Sequence, residues 1–322
     1  MARMFSYDKG IKLNSSSLWL DAGSRVEACV VSHAHLDHAK KHSLMIATDK
    51  TIRILDKRIG KTRSIGLDFG EPYDFDGLNV TLLPAGHILG SAQILVQANG
   101  SRLLYSGDFN VQQSATAEAI EIPESDILIM ESTFGQPAYS FPDRQQVSEM
   151  LCNFVAQAFR VGATPVVAGY ALGKSQEAMK ILGDAGYKLS VHGSVAVLAR
   201  IYEEFGIRFG DWEKYKRKET DGKVLIIPRI AIRSRMVKRL LHKRIVFLSG
   251  WAVNSSTKYR YGVDEAIPLS DHADFDGLLE YVRKVNPKKI YTTHGFREFP
   301  LHLQRLGFDA EPLQKSKQLS LF

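Results

Sequence analysis

The sequence predicts an α/β chain in two parts, a strand-rich domain interrupted by an inserted α/β cap. Three observations carry that prediction. Strand-like runs dominate up to about residue 133, and most of them end in a histidine or an acidic residue. From Asp143 the character changes to helix alternating with strand, which suggests a parallel sheet flanked by helices. Near RIVFLSGW and EAIPLSDHADF the chain returns to strands bearing polar end residues. The expected bounds are 1–138 and 262–322 for the discontinuous outer domain and 139–261 for the insertion, with a cleft between them able to take a polymer.

The elements follow in order. SLWLD, ACVVS, NVTLLP, AQILVQ, RLLYSGD and DILIMES read as short strands, and Ala98, Asn99 and Gly100 mark a hairpin-like turn between two of them. TDKTIRILDKRIG is the main helical interruption. In the insertion, RQQVSEMLCNFVAQAFRVG, GKSQEAMKILGDAG and VAVLARIYEEFG read as helices separated by TPVVAGY and KLSVHGS. DFDGLLEYVRKV and PLHLQRLG supply closing helices.

The chemistry concentrates at strand ends. Residues 33–38 read HAHLDH straight after the apolar run Ala28–Ser32, packing three imidazoles and a carboxylate into one turn. In extended chain His33 and His35 project to the same side, while Asp37 and His38 follow where they can face a second ion. Borderline-soft divalent ions accept imidazole nitrogen and carboxylate oxygen, and a hydrolytic site keeps one position for water. A thiolate-closed structural zinc site is excluded, because Cys29 and Cys152 are the only cysteines. His87 in PAGHILGSAQ, Asp108 in LLYSGDF and His294 in KKIYTTHGF each follow a strand-like run and are further candidate ligands. Asp21, ending SSLWLD, is placed to orient a ligand imidazole. His42, His192, His242 and His302 read as surface or packing residues.

This order of motifs resembles the metallo-β-lactamase superfamily. GlyAsp followed by EST at Glu131, a long insertion, SDHADF at His272 and THG at His294 resemble its β-CASP nuclease branch over nearly the whole chain. The resemblance implies an αββα sandwich with an inserted β-CASP cap and two divalent ions, zinc or manganese. His33, His35 and His87 would hold one ion and Asp37, His38 and His294 the other, with Asp108 bridging them. It implies hydrolysis of a phosphodiester by a metal-activated hydroxide, with Asp37 among the catalytic residues. His272 would act as general acid, held by Glu131.

Composition agrees. With 322 residues and 44% apolar content the chain can bury a large core. It shows no signal-peptide pattern and no apolar run approaching the roughly 18–20 residues that span a bilayer. Its two distant cysteines provide no disulfide framework. A soluble, cytoplasmic protein is expected.

The formal charge is +7, yet residues 208–244 hold thirteen Lys plus Arg against four Asp plus Glu, so the basicity belongs to the insertion. Arg229, Arg233, Arg235, Lys238 and Arg239, with Trp212, Tyr215 and the later Lys258, Tyr259, Arg260 and Tyr261, are candidates to track a sugar-phosphate backbone and stack on bases. A small thioester or β-lactam would not call for such a field. AGYALGKS at 168–175 falls short of a phosphate-binding loop because Ala168 stands where the first glycine is needed. Lys174 and Ser175 are still candidates to meet a substrate phosphate at a helix start.

SGWAVNSSTKYRYGVDEAIPLSDHADFDGL, with ESTFG and GYALGKSQ, resembles the bacterial DNA-ligase-associated exonuclease group, which implies a DNA substrate, a role in repair and a DNA ligase as partner. A histidine at position 294 is common among RNA-cleaving members and leans toward RNA. Gln318, Leu319, Ser320, Leu321 and Phe322 spell QLSLF, which resembles the pentapeptide by which bacterial replication and repair proteins bind the sliding clamp. A catalytically idle clamp- or nucleic-acid-binding protein is the reading from a different class, and the full ligand set weighs against it.

Overall fold

The computed structural model describes residues 4–14, 16–217 and 221–315, so the QLSLF tail lies outside the described residues. The chain divides into two compact units. One comprises the chain up to Val111, Glu118–Ala138 and the chain from His272 onward; the other comprises Gln112–Ala117 and Tyr139–Asp271.

The first unit is an αββα sandwich. One six-stranded sheet runs in the order Phe5–Tyr7, Ile11–Leu13, Leu18–Leu20, Ala28–Val30, Leu44–Ala47, Ser64–Gly66. The other has seven strands, Ala310–Pro312, Lys289–Thr293, Ile127–Glu131, Ser101–Tyr105, Ala92–Ala98, Leu78–Pro84 and Pro72–Phe75. Strand side chains alternate between faces, so one strand serves two cores. Ile129 joins Leu20, Val30, Ile46, Leu82 and Ile94 between the sheets. Leu128 and Met130 point the other way, into a core closed by Leu278, Tyr281 and Val282 of the helix Phe275–Val285 and by Phe299 and Leu303 of the helix Phe299–Arg305. On the first sheet, the helix Asp49–Ile59 lies against the strand Ser64–Gly66 and buries Ile54 and Leu55. Thr48 caps its start by accepting from the Thr51 amide, as the TDKT sequence foretells.

The hairpin at Ala98–Ser101 turns through Asn99 and Gly100, both with positive φ, the geometry that matches strand twist in a two-residue loop. Gly295 has a different duty. A Cβ there would fall 1.8 Å from the Ser132 carbonyl oxygen, so only glycine lets the loop after Thr293 close against the strand end at Glu131.

The second unit is built on a six-stranded sheet whose pairs are all parallel, in the order Trp212–Lys214, Leu189–Val191, Val224–Pro228, Thr164–Gly169, Lys243–Leu248, Glu265–Ile267. The helices Arg144–Arg160, Lys174–Asp184 and Gly193–Glu204 belong to it. Its central strands are buried except at Thr164, as a sheet covered on both faces requires. The expected return to the outer domain at residue 262 falls too early. Glu265–Ile267 pairs with Lys243–Leu248 and extends this sheet, so the unit runs on to Asp271 and also takes in Gln112–Ala117. Among the described residues, no helix is long and apolar enough to cross a membrane.

Candidate metal centre

Parallel neighbours end at the same edge of a sheet, and this fact assembles the site. Ser101–Tyr105, Ile127–Glu131 and Lys289–Thr293 are consecutive parallel partners, so Asp108, Glu131 and His294 emerge side by side. In the facing sheet, Leu18–Leu20 and Ala28–Val30 are also parallel, which brings Asp21 to the HAHLDH turn.

Donor atoms of His33, His35, His87 and Asp108 lie within 4.8 Å of one another, and those of His38, Asp108 and His294 form a second such group. Asp108 belongs to both. Its carboxylate is 3.5 Å from His33 Nε2, 3.5 Å from His38 Nε2 and 3.8 Å from His87 Nε2. His35 Nδ1 and His87 Nε2 face each other at 3.0 Å. Asp37 is exposed and falls outside these groups, although it shares with His38 and His294 a cavity of about 260 Å³.

The residues fit divalent cations. His33 Nε2 is fully buried and makes no hydrogen bond, an orphaned acceptor that a cation would satisfy. Burial, reinforced by His38, His87 and His35, holds His33 well below the ordinary histidine range, so its ring is neutral as a ligand must be. Burial and the nearby Glu131 carboxylate push Asp108 upward despite the facing histidines, which leaves a carboxylate that positive charge would stabilise. The set is imidazole and carboxylate without thiolate, suited to zinc or manganese.

A shell of hydrogen bonds orients the rings. Asp21, held at φ 42°, receives the Ser32 amide on Oδ1 at 2.8 Å, while its Oδ2 meets His38 Nδ1 at 2.8 Å and the Tyr105 hydroxyl at 2.9 Å. Ser32 Oγ donates to the same Oδ2 at 2.5 Å. With Asp21 taking His38 through Nδ1, Nε2 is directed at Asp108. Burial opposes a charge on His38, but Asp108 and Asp21 outweigh it and raise its pKa to about 10. Asp21→Asn is therefore expected to lower divalent-ion affinity about 10- to 100-fold. Calorimetric titration with zinc and manganese reads this, and unchanged affinity would remove Asp21 from the site.

Beside the cluster, buried Glu131 accepts His272 Nδ1 at 2.8 Å and the Phe109 amide at 3.0 Å on Oε1. Thr133 Oγ1 donates to its Oε2 at 2.5 Å and lies 3.1 Å from the His294 carbonyl oxygen. Burial alone would raise the Glu131 pKa, but His272 and these hydrogen bonds win and lower it to about 2. Tyr281, its ring tilted 30° against Phe109 with centroids 4.0 Å apart, packs on the residue next to Asp108.

Tyr105, Ser32 and Thr133 are the residues that sequence reasoning passed over. Each sits inside a motif already singled out, but the Tyr105–Asp21 bond joins residues 84 apart, for which sequence offers no signal.

The assignment of Lys174 and Ser175 to substrate phosphate needs correction. Lys174 Nζ is buried in an ion pair with Asp271, and Ser175 Oγ donates to the Tyr170 carbonyl at 2.6 Å. The Gly173 amide, which opens the helix, is taken by Gln176 Oε1 at 2.8 Å. A buried lysine is stable only when paired, so Lys174 is spent on structure. By contrast, Tyr259 is 77% exposed and Arg260 is also exposed, on the helix Thr257–Tyr261.

An αββα sandwich with a buried His/Asp cluster at its parallel-strand edge, joined to an inserted parallel α/β unit, defines a metallo-hydrolase architecture. Residues 14–187, more than half of the chain, match the family described as "Beta-lactamase superfamily domain", and residues 263–312 match "Zn-dependent metallo-hydrolase RNA specificity domain". The chain belongs to the metallo-β-lactamase superfamily, in its β-CASP nuclease branch.

A "Probable DNA ligase" of Opitutus terrae is 37% identical over 98% of this chain, which spans 31% of that protein. A "Probable RNase MJ4" of Methanocaldococcus jannaschii is 23% identical, with 89% of this chain and 86% of the relative covered. A "DNA cross-link repair protein SNM1" of Arabidopsis thaliana is 24% identical over 83% of this chain and 60% of its own length. A crystal structure of a protein of unknown function from Enterococcus faecalis shares the fold, with a TM-score of 0.64 and 15% identity over 89% of this chain and 79% of the other.

Proposed function

We propose that this protein is a divalent-metal-dependent nuclease that hydrolyses phosphodiester bonds of DNA, an exonuclease of the ligase-associated group acting in repair. The observation that carries the proposal is the gathering of two donor groups sharing Asp108 beside the Glu131–His272 pair. In this reading His33, His35 and His87 would hold one ion, His38 and His294 would hold the other with Asp37 at its edge, and Asp108 would serve both. Bound there, the ions supply Lewis acidity that brings a water toward ionisation near neutral pH and stabilises charge on the phosphoryl oxygens.

The protein's own residues handle the proton of the leaving group. Glu131 accepts a hydrogen bond from Nδ1–H of His272, which directs Nε2 of the imidazolium toward the departing oxygen. As the P–O bond breaks, Nε2 gives up its proton to that oxygen. Lys258, Tyr259 and Arg260 are retained as substrate contacts. QLSLF and a DNA ligase are retained as the route to a clamp-bound repair assembly.

DNA is favoured by the relative named as a ligase, which matches almost the whole chain. RNA is the second reading, favoured by the family description over residues 263–312 and by relatives named as RNases. End-labelled single- and double-stranded DNA and RNA of matched sequence, digested with zinc or manganese supplied, decide between them. DNA is expected to be shortened stepwise and faster than RNA. Faster RNA cleavage overturns the substrate, and no cleavage of either overturns the function.

A further inference from the structure

The inserted unit carries a construction whose components each have a known affinity for bases or phosphates. Tyr170 follows the strand Thr164–Gly169, and Arg229 follows the neighbouring parallel strand Val224–Pro228. Both side chains thus leave the carboxyl edge of the sheet beside its central strand. Open parallel sheets receive ligands at that edge, where the strand order reverses. Here Thr164–Gly169, first of the six in the sequence, lies between Val224–Pro228 and Lys243–Leu248, the fourth and fifth.

The Arg229 guanidinium carbon lies 5.5 Å from the centre of the Tyr170 ring and 6.0 Å from that of Tyr261, and Arg260 is 6.0 Å from Tyr261. The result is a ladder of alternating cations and rings, Tyr170–Arg229–Tyr261–Arg260. Its inner side is fixed. Lys174 Nζ is 5.0 Å from the Tyr170 ring, and Tyr261 packs on buried Phe247 with centroids 4.2 Å apart. Its outer side is open, with Tyr170 48% and Ile230 87% exposed. A cavity of about 230 Å³ opens there, lined by Arg229, Ile230, Ile232, Arg233 and Tyr261.

Among the described residues, Arg229, Arg233 and Arg260 form no ion pair with a carboxylate. The charge of this face is left for an anionic partner. The exposed Tyr170 ring and the half-buried Tyr261 ring select further. A duplex keeps its bases stacked inside and offers only phosphates, whereas a single strand can lay unstacked bases on tyrosine and arginine planes while its phosphates meet the same cations.

We propose that the Tyr170–Arg229–Tyr261–Arg260 ladder is a platform for single-stranded polynucleotide. The proposal rests on the nuclease reading and gives that enzyme a preference for unpaired strand. The test uses the full chain with EDTA present to suppress turnover. Anisotropy of a labelled 20-nucleotide oligothymidylate and of a matched 20-base-pair duplex is read across a salt series. Tyr170→Ala and Arg229→Ala are each expected to lower single-strand affinity about tenfold and duplex affinity far less. Arg229→Ala should also reduce the salt slope by about one.

Tyr170→Phe, which keeps the ring, should bind as the parent does. Arg229→Lys should keep the slope but lose affinity, because an ammonium cannot stack. These conservative variants keep the test sound if an alanine variant folds poorly. Equal losses on single strand and duplex, unchanged affinity in both alanine variants, or displacement of the oligonucleotide by poly-glutamate at equal charge would each overturn the platform. Cleavage is assayed separately with manganese restored. Cleavage by a parent protein whose alanine variants bind normally sinks the platform alone, whereas ladder-dependent binding without cleavage under any ion sinks the nuclease reading alone.

Discussion

Asp108→Ala is expected to abolish measurable cleavage while polynucleotide affinity at the same ionic strength is retained. The carboxylate is the one anionic donor common to both groups, within 3.8 Å of His33, His38 and His87. Removing it takes from the two histidine groups the carboxylate they share and leaves Asp21 and Glu131 as the neighbouring anions. Loss of about 4 kcal/mol of transition-state stabilisation, within the several expected of such a centre, corresponds to about a thousandfold in turnover. Initial rates on end-labelled DNA with saturating manganese measure the effect, and thermal unfolding confirms that the variant is folded. Parent-like rates would show that the cluster is structural. They would return the chain to the class of nucleic-acid-binding proteins that do no chemistry.

His272→Ala is expected to slow cleavage of a natural phosphodiester by about 10²- to 10⁴-fold, the usual worth of a positioned proton donor. Leaving-group dependence separates proton donation from support. An alkoxide departs poorly without a proton, whereas a p-nitrophenolate needs none, so hydrolysis of bis(p-nitrophenyl) phosphate should suffer much less. An equal loss on both substrates would assign His272 to shaping the site. The Glu131 carboxylate has its pKa lowered from 4.5 to about 2. A depressed carboxylate stabilises the fold fully above about 4.5 and loses that contribution as pH falls through about 2. Glu131 therefore stays ionised across neutral and mildly acid conditions.

The candidate site was legible because its donors obey local rules. Each of His33, His87, Asp108 and His294 follows a strand whose apolar run is visible in a few residues, and parallel pairing then brings Asp108, Glu131 and His294 to one edge. Other features had no local signature. The strand Val224–Pro228 sits inside the most basic stretch, where charge masks a five-residue apolar run. Lys174 looked available because GKS is read as a loop motif, yet its fate was decided by Asp271, 97 residues away. The boundary at residue 262 failed for the same reason, since Glu265–Ile267 belongs to whichever sheet offers an unpaired edge.

By itself the sequence determined which atoms could bind ions and at which strand ends they would stand, because donor type and strand periodicity are properties of neighbouring residues. The tertiary structure alone decided that Asp21 answers to Tyr105, that Asp37 stands at the margin, and that Lys174 is buried while Arg229 lies over the exposed Tyr170 ring. Those outcomes depend on distances between residues far apart in the chain, which only the closing of the sheets and the packing of their helices can set.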